Sequence, residues 1–257
     1  MIEIKGLKKV FQTQSGPLKV FEDLNITIRE GEVLAVLGPS GCGKTTLLHL
    51  LAGMEEASGG VVSGVPLSET TGRASLSYLF QEPRLLPWMS VCENIDLILQ
   101  NHLPSKVERK KRINQFIDLV GLSGFADFRP AHLSGGMRQR AAVARAFAYP
   151  SRLILMDEPF QSLDADLKYQ LISSYKDIWL REPRTTVLVT HDIQEALMLA
   201  DRILVFSKRP ARIIDSFTVD LPREQRSMGN RDLMELAVGY FEKISSRGYF
   251  EKISSRG

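Results

Sequence analysis

Val33-Leu34-Ala35-Val36-Leu37-Gly38-Pro39-Ser40-Gly41-Cys42-Gly43-Lys44-Thr45-Thr46-Leu47-Leu48 decides the fold. Residues 33–37 are apolar without a break, the pattern of a strand in a parallel sheet covered on both faces. Residues 38–45 fit G-x-x-x-x-G-K-[ST], and the run that begins at Thr46 predicts a helix. Strand, glycine-rich loop and helix in that order make a cradle for phosphate. The glycines let backbone amides turn toward phosphate oxygens with no Cβ in the way, and the helix presents its positive end to the same anion. Lys44 then neutralises the β- and γ-phosphates, and the Thr45 hydroxyl is a ligand for Mg2+.

An NTPase of this kind needs an acidic residue at the end of a neighbouring strand. Leu153-Ile154-Leu155-Met156-Asp157-Glu158 supplies one. Asp157 is placed to serve the metal, and Glu158 to take a proton from an attacking water as general base. A third continuous apolar run, residues 187–189, completes the set expected in a parallel sheet. Elsewhere the periodicity changes. Ile2-Glu3-Ile4 and Leu24-Asn25-Ile26-Thr27-Ile28 alternate, as half-buried antiparallel strands do. Over residues 84–149 apolar and charged residues recur at helical spacing, as in Val107-Glu108-Arg109-Lys110-Lys111-Arg112-Ile113. The expected organisation is α/β: a nucleotide-binding core with an antiparallel β subdomain over 1–83 and 150–225, an inserted helical lobe over 84–149, and a C-terminal helix and tail over 226–257.

The C-terminal part contains a repeat. Residues 240–248 read YFEKISSRG, and 249–257 repeat them unchanged. Leu233, Leu236, Ala237, Tyr240, Phe241 and Ile244 lie on one helical stripe. The second copy cannot extend that stripe, because its offset rotates the apolar positions by about 180° around a helix. It reads as a duplicated, poorly tied tail.

Bulk properties narrow the class of protein. The 257 residues are 44% hydrophobic and 25% charged, close to soluble globular averages. A formal net charge of +3 is a solvated mixed surface rather than a nucleic-acid footprint. The two cysteines, Cys42 and Cys92, form neither a ligand cluster nor a disulfide framework, which suits a reducing compartment. No window approaches the roughly 20 apolar residues that cross a bilayer, and MIEIKGLKKVF lacks the apolar stretch of a secretory signal. Membrane association is therefore expected only through a partner.

Leu133-Ser134-Gly135-Gly136-Met137-Arg138-Gln139-Arg140 resembles the LSGGQ signature of ABC-type ATPases, departing only at its fifth position. Ser134 and the glycines offer a hydroxyl and open amides ahead of the alanine-rich segment 141–148, a second anion-seeking helix end. The resemblance covers the chain from Ile2 to about Arg223 and implies that Ser134, Gly135 and Gly136 of one protomer close on ATP held by the loop of the other. A homodimer with two ATP at its joint follows from it. By the same resemblance Phe11 stacks on adenine, Gln81 senses Mg2+ and the attacking water, and His191 contacts the γ-phosphate. Asp164, in Ser162-Leu163-Asp164, crosses the dimer joint, although Gln161-Ser162 stands where small residues are common in the family.

Leu85-Leu86-Pro87-Trp88-Met89 falls where the family receives a coupling helix from its membrane-spanning permease, and as an apolar cluster it predicts an exposed docking patch. The segments 80–88, Asp157-Glu158-Pro159-Phe160 and Leu221-Pro222-Arg223 resemble the nitrate/sulfonate/taurine group of bacterial importers, which includes thiamine-precursor carriers. That group implies a subunit on the cytoplasmic face of the inner membrane, powering import of a solute delivered by an extracytoplasmic binding protein. The alternative is a soluble ABC-type ATPase acting on nucleic acid or ribosomes. Such proteins carry a long coiled-coil insertion or tandem cassettes, and the sequence has neither; no guanine-reading Asn-Lys-x-Asp occurs either.

Overall fold

The computed structural model describes residues 1–67, 74–161, 163–227 and 229–246. In chain order its elements are β1 (Ile2–Thr13), β2 (Gly16–Ile28), β3 (Val33–Leu37), α1 (Lys44–Leu51), β4 (Gly59–Ser63), β5 (Leu76–Leu79), α2 (Val91–Leu99), α3 (Lys106–Leu119), α4 (Gly135–Ala148), β6 (Leu153–Asp157), α5 (Ala165–Arg181), β7 (Thr185–Val189), α6 (Ile193–Leu199), β8 (Arg202–Phe206), β9 (Ile213–Thr218) and α7 (Arg231–Ser246). Contacts group the chain into two compact units, residues 1–74 with 184–257, and residues 75–183.

In the first unit, β2, β1 and β4 make an antiparallel sheet with β1 in the middle. Alternation decides its faces: Ile2, Ile4, Leu24, Ile26 and Ile28 are buried while Asn25 and Thr27 are exposed, and the register sets Ile4 opposite Ile26. The same unit holds strands in the order β7-β3-β8-β9, with β3 parallel to both neighbours and β9 antiparallel to β8. No residue of β3 is more than 1% exposed, which is why it reads as an unbroken apolar run. Each such valine or leucine contributes about 1.5–3 kcal/mol by leaving water.

A polar chain anchors the start of β3. Arg223 Nη2 donates to Asp201 at 2.5 Å, and the same Asp201 oxygen accepts from the Val33 amide at 2.9 Å. Helix α6 packs on β3, and α7 packs on α6. Along α7, Leu233 and Ala237 are buried and Tyr240 lies 4.3 Å from Phe217, centroid to centroid, so the expected stripe faces inward. The side chains of Phe241 and Ile244, and the repeated segment 249–257, lie outside the described residues.

In the second unit, β5 and β6 pair in parallel, with Tyr78 opposite Leu155 and Leu79 opposite Met156. Helix α4 packs on β5 and on α2 and α3. The helices expected from periodicity over 84–149 are present, and each begins on a side-chain cap. Ser90 and Glu93 form a reciprocal capping box at α2, Ser105 caps α3, and Ser134 caps α4. Buried Asn94 staples the preceding loop: its Oδ1 accepts from the Leu86 amide at 2.8 Å, and its Nδ2 donates to the Leu86 and Met89 carbonyls, each at 3.2 Å. With the loop pinned this way, Trp88 is left 64% exposed. Among the described residues no helix is long and apolar enough to cross a membrane.

Candidate active site

The predicted site residues divide between the two units. Phe11, the loop 38–45, Thr46 and His191 belong to the first; Gln81, Ser134, Gly135, Gly136, Asp157, Glu158 and Asp164 belong to the second.

In the first unit, β3 runs out at Leu37 and the loop turns into α1, which begins at Lys44 with Gly43 as its N-cap. Two loop glycines take left-handed backbone, Gly41 at φ +74 and Gly43 at φ +121. A Cβ at Gly43 would stand 2.5 Å from Val20 Cγ1, so both conformation and space demand glycine there. Lys44 is buried, and its ammonium donates to the Gly38 carbonyl at 2.8 Å and to the Pro39 carbonyl at 3.3 Å. The charge is thereby held within the mouth of its own loop. Thr45 and Ser40 are exposed, and Pro39 and Thr46 half-buried. Cys42 is buried; burial pushes its thiol up, and the nearby Lys44 charge opposes that push.

His191 is exposed just beyond β7. Because Val189 pairs with Val36, His191 is level with Gly38 at the ends of adjacent parallel strands. The turn between β7 and α6 is tied by Thr190 Oγ1, 2.5 Å from Glu195 Oε2, and by Asp192, which accepts from the Gln194 and Glu195 amides. Phe11 is half-buried on β1 opposite Leu18, with Lys9 Nζ 4.5 Å from its ring centroid. The ammonium is itself held by Glu55 at 2.7 Å.

In the second unit, the parallel pair β5–β6 brings Gln81, Asp157 and Glu158 to one end, since Leu79 and Met156 are level. Asp157 is buried as the last residue of β6, and half-buried Glu158 follows at φ +45. A non-glycine residue in that region is uncommon and held by its surroundings. Gln81 is exposed, and its amide nitrogen donates to the Gln161 side-chain oxygen. Ser134 accepts from the Met137 amide at 3.3 Å, and Asp164 caps α5 by accepting from the Leu167 amide at 3.0 Å. Ser134 and Gly135 are exposed at the α4 start, and Gly136 is half-buried near Leu163 and Leu167. Ser162 lies outside the described residues.

Three supporting residues were not singled out from sequence. The Tyr78 phenol is pushed far up by burial and then by the charge of the Asp157 carboxylate. Gln139 of α4 is buried and donates to the Pro159 carbonyl at 2.8 Å, joining the signature helix to the turn after Glu158. Arg145, farther along α4, donates to the Arg84 and Pro83 carbonyls at 2.9 and 3.1 Å. Each acts through a partner distant in sequence, which neither motif nor periodicity exposes.

Three kinds of site feature are present: in the first unit a glycine loop holding a buried lysine, and in the second a buried aspartate followed by a glutamate at a strand end and a serine-capped glycine helix start. The family described as ABC transporter matches residues 21–161. The nitrate import ATP-binding protein NrtD of Synechocystis sp. (strain ATCC 27184 / PCC 6803 / Kazusa) is 36% identical over 90% of this chain and 86% of its own length. The aliphatic sulfonates import ATP-binding protein SsuB 2 of Pseudomonas syringae pv. tomato is 41% identical over 80% of this chain and 85% of its own. Among solved structures, a dimeric ATP-binding cassette in a post-hydrolysis state, bound to ADP and Pi, superposes with a TM-score of 0.76 at 27% identity, covering 86% of this chain and 100% of that one. The chain belongs to the ABC transporter family, as one of its ATP-hydrolysing cassettes.

Proposed function

We propose that two copies of this chain close head to tail around two ATP molecules and reopen after hydrolysis, driving a membrane-spanning permease that imports a small solute. The observation that carries the reading is the loop 38–45, whose left-handed glycines and buried lysine fit a phosphate chain and little else. Lys44 exchanges its two carbonyl partners for phosphate oxygens, and Gly38, Pro39, Ser40, Gly41, Cys42, Gly43, Thr45 and Thr46 line the rest of the cradle. Phe11 offers its ring to adenine.

The donor set also suits Mg2+: a threonine hydroxyl at Thr45, a carboxylate at Asp157 and an amide oxygen at Gln81 are the hard oxygen ligands that ion takes. When bound, Mg2+ supplies positive charge against the phosphate oxygens. Glu158 accepts the proton of the attacking water, Gln81 orients that water, and His191 donates toward the γ-phosphate. Ser134, Gly135 and Gly136 meet the nucleotide held by the partner copy, and Asp164 lies along the joint. Trp88 and its neighbours receive the permease, and the likeness to import ATP-binding proteins supports a position on the cytoplasmic side of the inner membrane.

Support for import, and for cargo of the nitrate or sulfonate class, comes from the named relatives; taurine or a thiamine precursor as cargo, and delivery by a binding protein, rest on the sequence resemblance alone. Glu158→Gln tests the mechanism. ATP then binds without being split, so the variant elutes as an ATP-dependent dimer with turnover reduced at least a hundredfold, as expected for removal of a general base. Wild-type turnover in that variant would defeat the assignment.

A further inference from the structure

Outside the residues assigned to ATP, the second unit contains a cavity of about 350 Å³, walled by β5, α2 and α4. Leu97, Ile98 and Ala146 form an apolar side, and Arg145, Tyr149 and His102 a polar one. The size is that of a small-ligand pocket, and the mixture is the usual one for such sites, apolar wall with a few convergent polar groups.

Arg145 is the unusual member. Its hydrogen-bond partners are two backbone carbonyls, those of Arg84 and Pro83, and among the described residues no carboxylate pairs with it. Carbonyls satisfy two of the five guanidinium N–H groups and carry no formal charge to oppose the cation. Burial alone accounts for the lowering of its pKa, with no neighbouring acid drawing it back. Among the described residues no aspartate or glutamate lines the cavity, and Asp157 stands behind the Tyr78 wall, so an anion entering it meets first a partly desolvated cation. The polar side also carries aromatic surface: His102 meets Tyr149 edge to face, with centroids 4.5 Å apart.

We propose that this cavity binds a small amphipathic organic monoanion, with its acidic head on Arg145 and its apolar body against Leu97, Ile98 and Ala146. Binding at this place bears on ATP turnover, because the same guanidinium grips the segment that follows Gln81. That second consequence rests on the functional reading above, whereas binding itself does not.

Benzoate and benzamide are the probes, since they share a ring and differ in charge. Titration of the full chain by calorimetry is expected to give benzoate at least tenfold tighter than benzamide, with no displacement by saturating MgATP. Arg145→Gln is expected to erase the preference. Because that change also loosens the 83–84 segment, Leu97→Trp serves as the second variant: leucine here is 40% exposed at the cavity wall, and the indole fills the space while Arg145 stays. It is expected to lose benzoate tenfold or more with basal ATPase and melting temperature retained. Equal affinity for the two probes, unchanged binding in Leu97→Trp, or displacement by MgATP would each overturn the site. Benzoate binding with no change in turnover would retain the site and remove only its link to Gln81.

Discussion

Gly43 and Cys42 are neighbours in one loop and respond to opposite physical demands. At Gly43 a side chain meets both a φ of +121 and Val20 at 2.5 Å, whereas at Gly53, with φ +67, a Cβ would have nothing within 4 Å. Gly43→Ala is therefore expected to lose about 3 kcal/mol in urea melts and Gly53→Ala about 1 kcal/mol, the first adding a clash to backbone strain. ATP affinity should fall only in the first. At Cys42 the demand is solvation. Its folded thiol is pushed above the unfolded value by burial. Between about pH 8.5 and the folded value, the native state keeps a proton that the unfolded chain has released, so unfolding free energy declines as pH rises past about 8.5. Cys42→Ala should flatten that part of the stability–pH curve, measured by melts between neutral and alkaline pH; an unchanged slope would assign the proton to another group.

Among the elements, the loop before α2 shows how a buried polar side chain presents an apolar surface. Asn94 makes its hydrogen bonds to Leu86, Met89 and Ser90 while only 1% exposed. Removing it strands several backbone groups, so Asn94→Ala is expected to lower stability by about 2–3 kcal/mol. Trp88→Ala removes an exposed ring and should leave the melting temperature within a degree or two, yet deplete the permease from co-purified complex. Retained permease in Trp88→Ala would move the docking surface elsewhere. The apolar cluster 85–89 was legible in the sequence, but the residue that holds it was not, because one asparagine in a helix shows no sign of which carbonyls it meets. The same distinction runs through the chain. Strands β3, β6 and β7 were legible because both faces are buried and each carries an unbroken apolar run, followed by Asp157 in β6 and preceded by Thr185 and Thr186 in β7; β1 and β2 because one face is wet. The cap Ser134 was legible because it precedes its helix directly. Arg145 was not, since its carbonyl partners lie 61 and 62 residues earlier. Arg223, noted in Leu221-Pro222-Arg223 only for its resemblance to one importer group, anchors β3 through Asp201, a link spanning 22 residues.

For the whole molecule the decisive fact is that phosphate-seeking parts occur twice, at the α1 start in one unit and at the α4 start in the other. Both stand out in the sequence as motifs, the first by its glycines, with Gly43 as N-cap, and the second by a capping serine ahead of two glycines. What sequence does not display is whether one nucleotide is served by both ends of the same chain or by ends from two chains. The head-to-tail reading has a consequence that separates these. Lys44→Ala disables the loop of its own chain and leaves Ser134 intact; Ser134→Arg, with its added bulk and charge at the exposed helix start, does the reverse. Alone, each variant forms only sites that lack one half. In an equimolar mixture about half of the dimers are mixed, and each of these has one complete site, so about a quarter of wild-type sites are restored. ATPase activity is therefore expected to appear on mixing, to peak near equal proportions, and to rise with total concentration as dimers form. If each site were built within a single chain, the mixture would stay as inactive as its components at every ratio, and the dimer proposed here would be wrong.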